Sequence, residues 1–598
     1  MSENPFSVFT PEGLTADRVV AIFSTEMPGL GNIENAGHAF VIGTRGSGKS
    51  ILFRYLEPDC QQLVTNKALN ALPFLSLYAS FRETQAQISE LARFDDRHGE
   101  VFFNEHLLVL AIGAQVLLRL IRNNNIVAAE MDPAARELHD ELSALLGGGV
   151  ATQGMAVGEA LKILAARLQS AYRSAIQYVR QHGFKTGTLV YSGELYGFDD
   201  LLLPLVDFVK TALRVANESP ILLLLDDADS LTEIQTRILN SWVARRLSSR
   251  CSLKIAAQVT AYKTMVTVYN TRIEAPHDYQ EINLSDTTSR ASEKAYRSRI
   301  AGIVQRRLVA VQIIKRAEAY FPEENRQRIA IEREEKRLTD EWENGNGRGF
   351  RARDDAYRYA RPNYIAKLGG DRKSRSTYSY SGFDQLVHIS SGVTRFFLEA
   401  AADMYGQSVT SAPRGNKKID AIEPRIQNEV VRDHANRQMI IDLKDLARDV
   451  QRLRGDPQQA LQLSNLIKGL GSLFESALID LMASERKLFS FALTEEPTNE
   501  IEDVLRLGIR YGYFFQGVIG RKEGAGRAPL YILSRRLAPL FNLDPMGFSG
   551  YKFLTNQKIL QLMNDPDDSR LGLRRSRKRE NDSQIAIDFD EGESNAGD

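Results

Sequence analysis

Cysteine is almost absent from this chain: Cys60 and Cys251 are the only two among 598 residues. Two thiols so far apart exclude a disulfide framework and a C-x-x-C metal site, and they fit a reducing compartment. Histidine is scarce as well, with 8 residues and no metal-binding cluster. The patterns H-E-x-x-H and G-x-S-x-G are missing, which excludes a zinc-protease helix and a serine-hydrolase elbow. Net charge is lacking, since Lys+Arg and Asp+Glu are both 76. No overall field draws the molecule to nucleic acid or to an anionic membrane, so any such binding must be local. Long hydrophobic runs are missing too. The most apolar stretch, Leu107 to Leu118, contains Gln115 and is flanked by His106 and Arg119. It falls short of the roughly 20 residues a membrane span requires and reads as a buried helix. The start, MSENPFSVFTPEG, has neither the basic nor the apolar region of a secretion signal. A cytoplasmic protein without membrane contact is the expectation.

What is present is concentrated in one segment. Gly43-Thr44-Arg45-Gly46-Ser47-Gly48-Lys49-Ser50 matches G-x-x-x-x-G-K-[ST], the phosphate-binding loop of nucleoside triphosphatases. The apolar run Ala39 to Ile42 enters it as a strand, and Ser50 to Leu56 leaves it as a helix. Free N–H groups at that helix start, Ile51 included, face anionic oxygens. Glycines let the backbone close around the phosphates, Lys49 meets the outer ones as a point charge, and the Ser50 hydroxyl can ligate Mg2+. ATP and Mg2+ are therefore the expected ligands. Pro220 to Leu225 is a second apolar strand, and it stops abruptly in Asp226-Asp227-Ala228-Asp229. This is a Walker B pattern. Asp226 stands where a carboxylate holds the metal, and Asp227 where a second acid orients or deprotonates the attacking water.

At roughly 150 residues per domain, the length suggests about three or four units. The first, 1–290, reads as a P-loop core in which Leu72 to Ser80, Leu253 to Val259 and Tyr279 to Leu284 are further strands and Thr232 to Arg250 a helix. Between the two nucleotide motifs, about 81–218, lies a helical insertion: Phe102 to Asn123, Gly158 to His182 and Asp199 to Asn217 carry helical apolar spacing, broken at Gly147-Gly148-Gly149. A lid region, 291–410, follows. Ser289 to Phe321 reads as one long basic helix, Glu323 to Gly345 as a solvated helix, and Asn344 to Gly349 as a linker. Arg348, Arg351, Arg353, Arg358, Arg361, Lys367, Arg372, Lys373 and Arg375 are then interleaved with Tyr357, Tyr359, Tyr364, Tyr378 and Tyr380. That stretch reads either as a nucleic-acid contact or as a mobile surface loop or subunit contact.

The region 411–567 has winged-helix character. Leu473 to Met482 and Glu500 to Arg510 are amphipathic helices, and Tyr511 to Ile519 and Leu530 to Leu533 are strands around the turn Gly520 to Arg527. Arg521, Lys522 and Arg527 on that hairpin are candidates for the phosphate backbone of duplex DNA; winged helices also serve as protein contacts. Residues 568–598 run from Arg574-Arg575-Ser576-Arg577-Lys578-Arg579 into a block of acids, a composition that seldom folds.

The loop Gly43 to Ser50, Leu222 to Asp229, the strand Lys254 to Thr260, the turn Gly392 to Arg395 and the terminal wing together resemble an AAA+ ATPase of the origin-recognition type, close to the STAND class. More narrowly, the chain resembles bacterial ORC-like AAA ATPases, several of which accompany antiphage defence genes. The resemblance implies an α/β fold: an AAA+-like P-loop NTPase with a parallel sheet, a helical insertion and lid, and a C-terminal winged-helix domain. It also implies that Gln258 or Thr260 is the sensor 1 residue and that Arg395, behind the glycine turn and the apolar Phe396, Phe397 and Leu398, is sensor 2. A homo-oligomer is implied, and with no nuclease or protease signature here, a separate effector protein. No arginine finger is evident; Arg245, Arg246 and Arg250 are candidates, equally readable as helix-surface arginines. Asp-Asp replaces the Asp-Glu usual in AAA+ motors. The shorter Asp227 favours slow hydrolysis and a switch over a motor, with a DNA-binding initiator or mobile-element ATPase as the alternative.

Overall fold

The computed structural model describes residues 4–83, 97–124, 129–149, 153–182, 191–245, 249–258, 261–286, 290–347, 351–368, 377–412, 419–452, 456–481, 483, 485–520, 527–546 and 550–566. The chain divides into two compact units, Phe9–Asp286 and a second that joins Met1–Val8 to Thr287–Asp598.

The unit Phe9–Asp286 is built on five strands: β1 (Ala39–Gly43), β2 (Leu75–Ser80), β3 (Ile221–Asp226), β4 (Ser252–Gln258) and β5 (Gln280–Asn283). Their order is β2-β3-β4-β1-β5, and every pairing is parallel. β3 is a continuous apolar run buried at every residue, as a strand covered on both faces must be. Its side chains alternate between two cores. Leu222 and Leu224 pack with Leu52, Phe53 and Leu56 of the helix Lys49–Leu56. Leu223 and Leu225 pack with the inserted helices Arg97–Asn123, Val157–His182 and Leu203–Ala212. The insertion thus forms a helical layer on one face of the sheet. Its first helix, Arg97–Asn123, ends where the sequence placed it and begins ahead of the expected Phe102. By length and composition Glu100–Asn123 could cross a membrane, yet 72% of its apolar window is buried inside the protein. Both cysteines are fully buried in this unit. Burial pushes the Cys251 thiol up to about 12, and burial raises Cys60 as well, against the opposing charge of Arg54.

In the second unit one apolar cluster runs from Phe6 to Met563. Phe6 is fully buried there, and the Arg307 guanidinium donates to the carbonyls of Pro5 and Ser7, both at 2.9 Å. Residues expected to form a lid and those expected to form a wing contribute to this same core. Four strands, β6 (Leu488–Leu493), β7 (Phe514–Gly520), β8 (Arg527–Leu533) and β9 (Gly550–Leu554), form a sheet of order β7-β8-β6-β9. β7 and β8 make the antiparallel hairpin of a winged-helix domain. The helices Gln458–Ile479, Asn499–Arg510 and Asn556–Asn564 pack with it.

Two sequence expectations need correction here. The long basic helix is Arg290–Ala310 only; Gln312 takes a left-handed φ of +60° and the chain turns before a short helix, Ala317–Tyr320. The arginine and tyrosine stretch is no loop over 352–368, where it forms the helix Ala352–Leu368. That helix is pinned to Asn325–Glu341 because Lys367 and Asn363 hold the Glu334 carboxylate, at 2.6 and 2.9 Å. Burial would raise Glu334, but Arg337, Lys367 and Asn363 outweigh it and bring the acid down to about 2. Tyr378 and Tyr380 are core residues: Arg361 donates to the Tyr378 hydroxyl at 3.0 Å, and the Tyr380 hydroxyl donates to the carbonyls of Ala538 and Leu543 at 3.1 and 2.9 Å. Arg348, Arg372, Lys373 and Arg375, together with the tail 568–598, lie outside the described residues.

Candidate nucleotide site

Parallel strands all end on the same side of the sheet, and here the register collects the functional residues at those C-terminal ends. Ser80 at the end of β2 lies opposite Asp226 at the end of β3, and Gly43 at the end of β1 lies opposite Gln258 at the end of β4. The loop that follows β1 turns at Gly46 and Gly48, with φ of +88° and +106°, which L side chains rarely adopt. A Cβ at Gly43 would stand 2.5 Å from the Ser47 Oγ, an atom buried without a hydrogen-bond partner. The cradle is closed just beyond β5, where the Ser285 hydroxyl accepts the Thr44 N–H at 2.9 Å and meets the Thr44 hydroxyl at 3.0 Å. Arg45 is exposed at the tip. The helix Lys49–Leu56 has no side-chain cap, so the N–H groups of Lys49, Ser50 and Ile51 at its start suit an anion.

Lys49 curls over this loop, donating to the carbonyls of Gly43 and Thr44 at 2.8 and 3.1 Å. Burial lowers its ammonium, and Asp226, Asp229 and Asp227 pull it back up. Asp226 is wholly buried; it accepts the Tyr78 hydroxyl at 3.3 Å, the Asp227 N–H at 2.8 Å and the Ser50 hydroxyl. Burial, reinforced by the neighbouring Asp227, pushes its carboxyl up to about 6. The Ser50 hydroxyl and a needy carboxylate side by side suit Mg2+, which takes few protein ligands and keeps water and phosphate for the rest. Among the described residues, no group of three or more His, Cys, Asp or Glu forms a protein-only metal cage.

Asp227 follows in left-handed backbone, φ +57°. Asp tolerates that region better than Glu, which gives a backbone reason for the second acid being the shorter one. Its carboxylate accepts the Ser80 hydroxyl at 3.1 Å and pairs with the Arg82 Nε at 3.3 Å. Burial raises it, and Arg82 and Ser80 oppose the rise. Asp229 accepts the Gln258 N–H at 3.1 Å, tying the two strand ends together. Gln258, at the end of β4, stands beside the start of the loop, and Thr260 lies outside the described residues.

Arg395 belongs to the second unit, in the first turn of the helix Thr394–Ser411 behind Ser391 and Gly392, both with positive φ. Its Nε is 3.9 Å from Glu399. Phe397 and Leu398 are buried and Phe396 is half-buried. Arg245 and Arg250 are ion-paired with Asp199 and Asp207, and Arg246 lies outside the described residues. Arg527 is exposed at the start of β8; Arg521 and Lys522 lie outside the described residues.

Sequence reasoning missed Ser285, Tyr78, Ser80 and Arg82. One signal was available for Ser80: a polar residue at the end of an apolar strand, as in β3.

A family model described as ORC-CDC6-like matches residues 4–553. Among solved structures, Cdc6p from Pyrobaculum aerophilum is 12% identical over 96% of this chain and 99% of its own, with a TM-score of 0.25, too low to bear on the argument. No curated protein matches the sequence.

Proposed function

The chain belongs to the ORC-CDC6-like family of AAA+ ATPases, and on that premise we propose that it is an ATP-binding, slowly hydrolysing molecular switch. The observation that carries this reading is the convergence of Lys49 and Ser50 with Asp226 and Asp227 at the C-terminal ends of parallel strands. Gly43 to Ile51 wrap the phosphates, and Lys49 leaves its two carbonyls for the outer ones. Ser50 and Asp226 would hold Mg2+, which neutralises phosphate charge when bound. Asp227 orients the attacking water and Gln258 contacts the terminal phosphate. Arg395 reports phosphate occupancy to the second unit. A switch must bind its partner differently in its two nucleotide states, so ATP-driven homo-oligomerisation or a separate effector protein is the output. The resemblance to bacterial ORC-like AAA ATPases, several of which accompany antiphage defence genes, supports an ATPase role in a bacterial multi-protein antiphage system.

A second reading, a DNA-binding initiator or mobile-element ATPase, is favoured by the β7–β8 hairpin, where Arg527 and Val518 are exposed.

Equilibrium binding of fluorescent ATP and ADP with Mg2+ tests the primary reading. Wild-type protein binds both, and Lys49→Ala weakens ATP roughly a hundredfold, the worth of a charge-assisted contact. If the wild type has no affinity for either nucleotide, the reading fails. Light scattering under each nucleotide then shows whether assembly follows ATP.

A further inference from the structure

Arg82 has no place in the roles assigned above, yet it sits among them. It lies in the single turn Phe81–Glu83 that follows β2, directly after the register that sets Ser80 beside Asp226. Its Nε is 3.3 Å from the Asp227 carboxylate and its Nη2 is 3.9 Å from that of Asp229, while its charge is felt at the Lys49 ammonium. We propose that Arg82 is a phosphate-contacting residue supplied in cis: it holds Asp227 before nucleotide arrives and transfers to the terminal phosphate when ATP is bound. The proposal rests on the ATP reading above and adds a residue and an order of events to it.

Three features support the transfer. The Arg82 side chain is 51% exposed, whereas those of Asp227 and Asp229 are 20% and 14%. A half-solvated ion pair is weakly held, so a better anion can take the guanidinium away. A terminal phosphate offers the guanidinium fork two oxygens at higher charge than one carboxylate. The pair also occupies the carboxylate assigned to water. With Arg82 on one oxygen of Asp227 and the Ser80 hydroxyl on the other, each oxygen already has a partner, and the guanidinium charge makes the acid a weaker base towards a nucleophile. Moving Arg82 to the phosphate therefore performs two tasks together: it releases the acid and places a second cation, beside Lys49, against the charge that develops on the transferred group. ADP lacks the terminal phosphate and would leave the pair closed. Arg82 thereby discriminates the triphosphate from the diphosphate within a single chain.

The experiment compares full-length wild type, Arg82→Ala and Arg82→Lys for the affinity of ADP, the affinity of a non-hydrolysable ATP analogue, and kcat, all with Mg2+. The expected result for Arg82→Ala is ADP affinity within about twofold of wild type, analogue affinity lower by roughly ten- to hundredfold, and kcat lower by at least about tenfold. Arg82→Lys restores part of both losses. Unchanged ADP affinity shows that the variant is folded. If the ratio of ATP to ADP affinity is unchanged, or if kcat rises because Asp227 has merely been freed, Arg82 is only a clamp and the proposal is overturned. Wild-type protein that binds no nucleotide overturns the ATP reading itself, a result separable from either of these.

Discussion

Asp226 in the P-loop unit and Asp544 in the second unit are equally hidden from solvent, and their carboxyls shift in opposite directions. Asp226 is pushed up to about 6 by burial and by the adjacent Asp227, and the nearest cation, Lys49, spends its hydrogen bonds on the carbonyls of Gly43 and Thr44. At Asp544 burial also raises the carboxyl, but Lys487 at 3.0 Å, Arg361 and the Met546 N–H outweigh it and hold the acid below its ordinary value. The same residue type, buried in both regions, is ion-paired with Lys487 in one and, in the other, is hydrogen-bonded beside a second carboxylate. A buried charge without a compensating cation destabilises the protein by itself and becomes affordable where a ligand completes it.

The largest effect expected from this contrast is on stability. Asp544→Ala should strand Lys487 and lower the unfolding free energy of the second unit by about 3–5 kcal/mol, read by urea titration at neutral pH. Because the folded acid is depressed, its contribution is fully present above an ordinary aspartate value and is lost as pH falls through its lower folded value. Asp226→Asn should do the reverse. A raised acid costs stability once ionised, so the variant should stabilise the nucleotide-free P-loop unit above pH 6 by up to about 3 kcal/mol. The gain should shrink towards zero near pH 4, where wild-type Asp226 is protonated. Thermal unfolding at several pH values checks it, and a destabilising Asp226→Asn at pH 7.5 would break the comparison. A smaller effect falls on chemistry: Asp227→Asn should keep ATP affinity and lower hydrolysis roughly a hundredfold, measured by phosphate release. Unchanged release would make this unit a nucleotide-binding scaffold. The smallest effect concerns the second unit alone. If its hairpin meets duplex DNA, Arg527→Ala should weaken binding evenly across sequences and reduce the salt slope by about 1.

How much of this was visible in the chain depends on the range of each interaction. The loop Gly43 to Ser50 and the strand ending at Asp226 are local patterns, and each appears where its residues placed it. The β7–β8 hairpin was equally local. Ser285, Tyr78, Ser80 and Arg82 reach the site only because the strand order is β2-β3-β4-β1-β5, a fact no short window encodes. The helix Ala352–Leu368 was hidden for another reason. It buries Asp355, Ala360, Pro362 and Ile365, so its inner face lacks the apolar stripe that announces a helix. Gln258 could be found from its strand end. The part assigned to Arg395 rests on resemblance, since it belongs to a different unit from the loop.

The two cysteines carry a practical consequence. Cys60 and Cys251 are both fully buried, and with their thiols raised neither offers a ready thiolate near neutral pH. Maleimide reagents should pass over the native fold, so one cysteine engineered at an exposed position such as Val518 becomes a single attachment point. Dye or spin-label spectroscopy of this molecule can begin without first stripping its own sulfur.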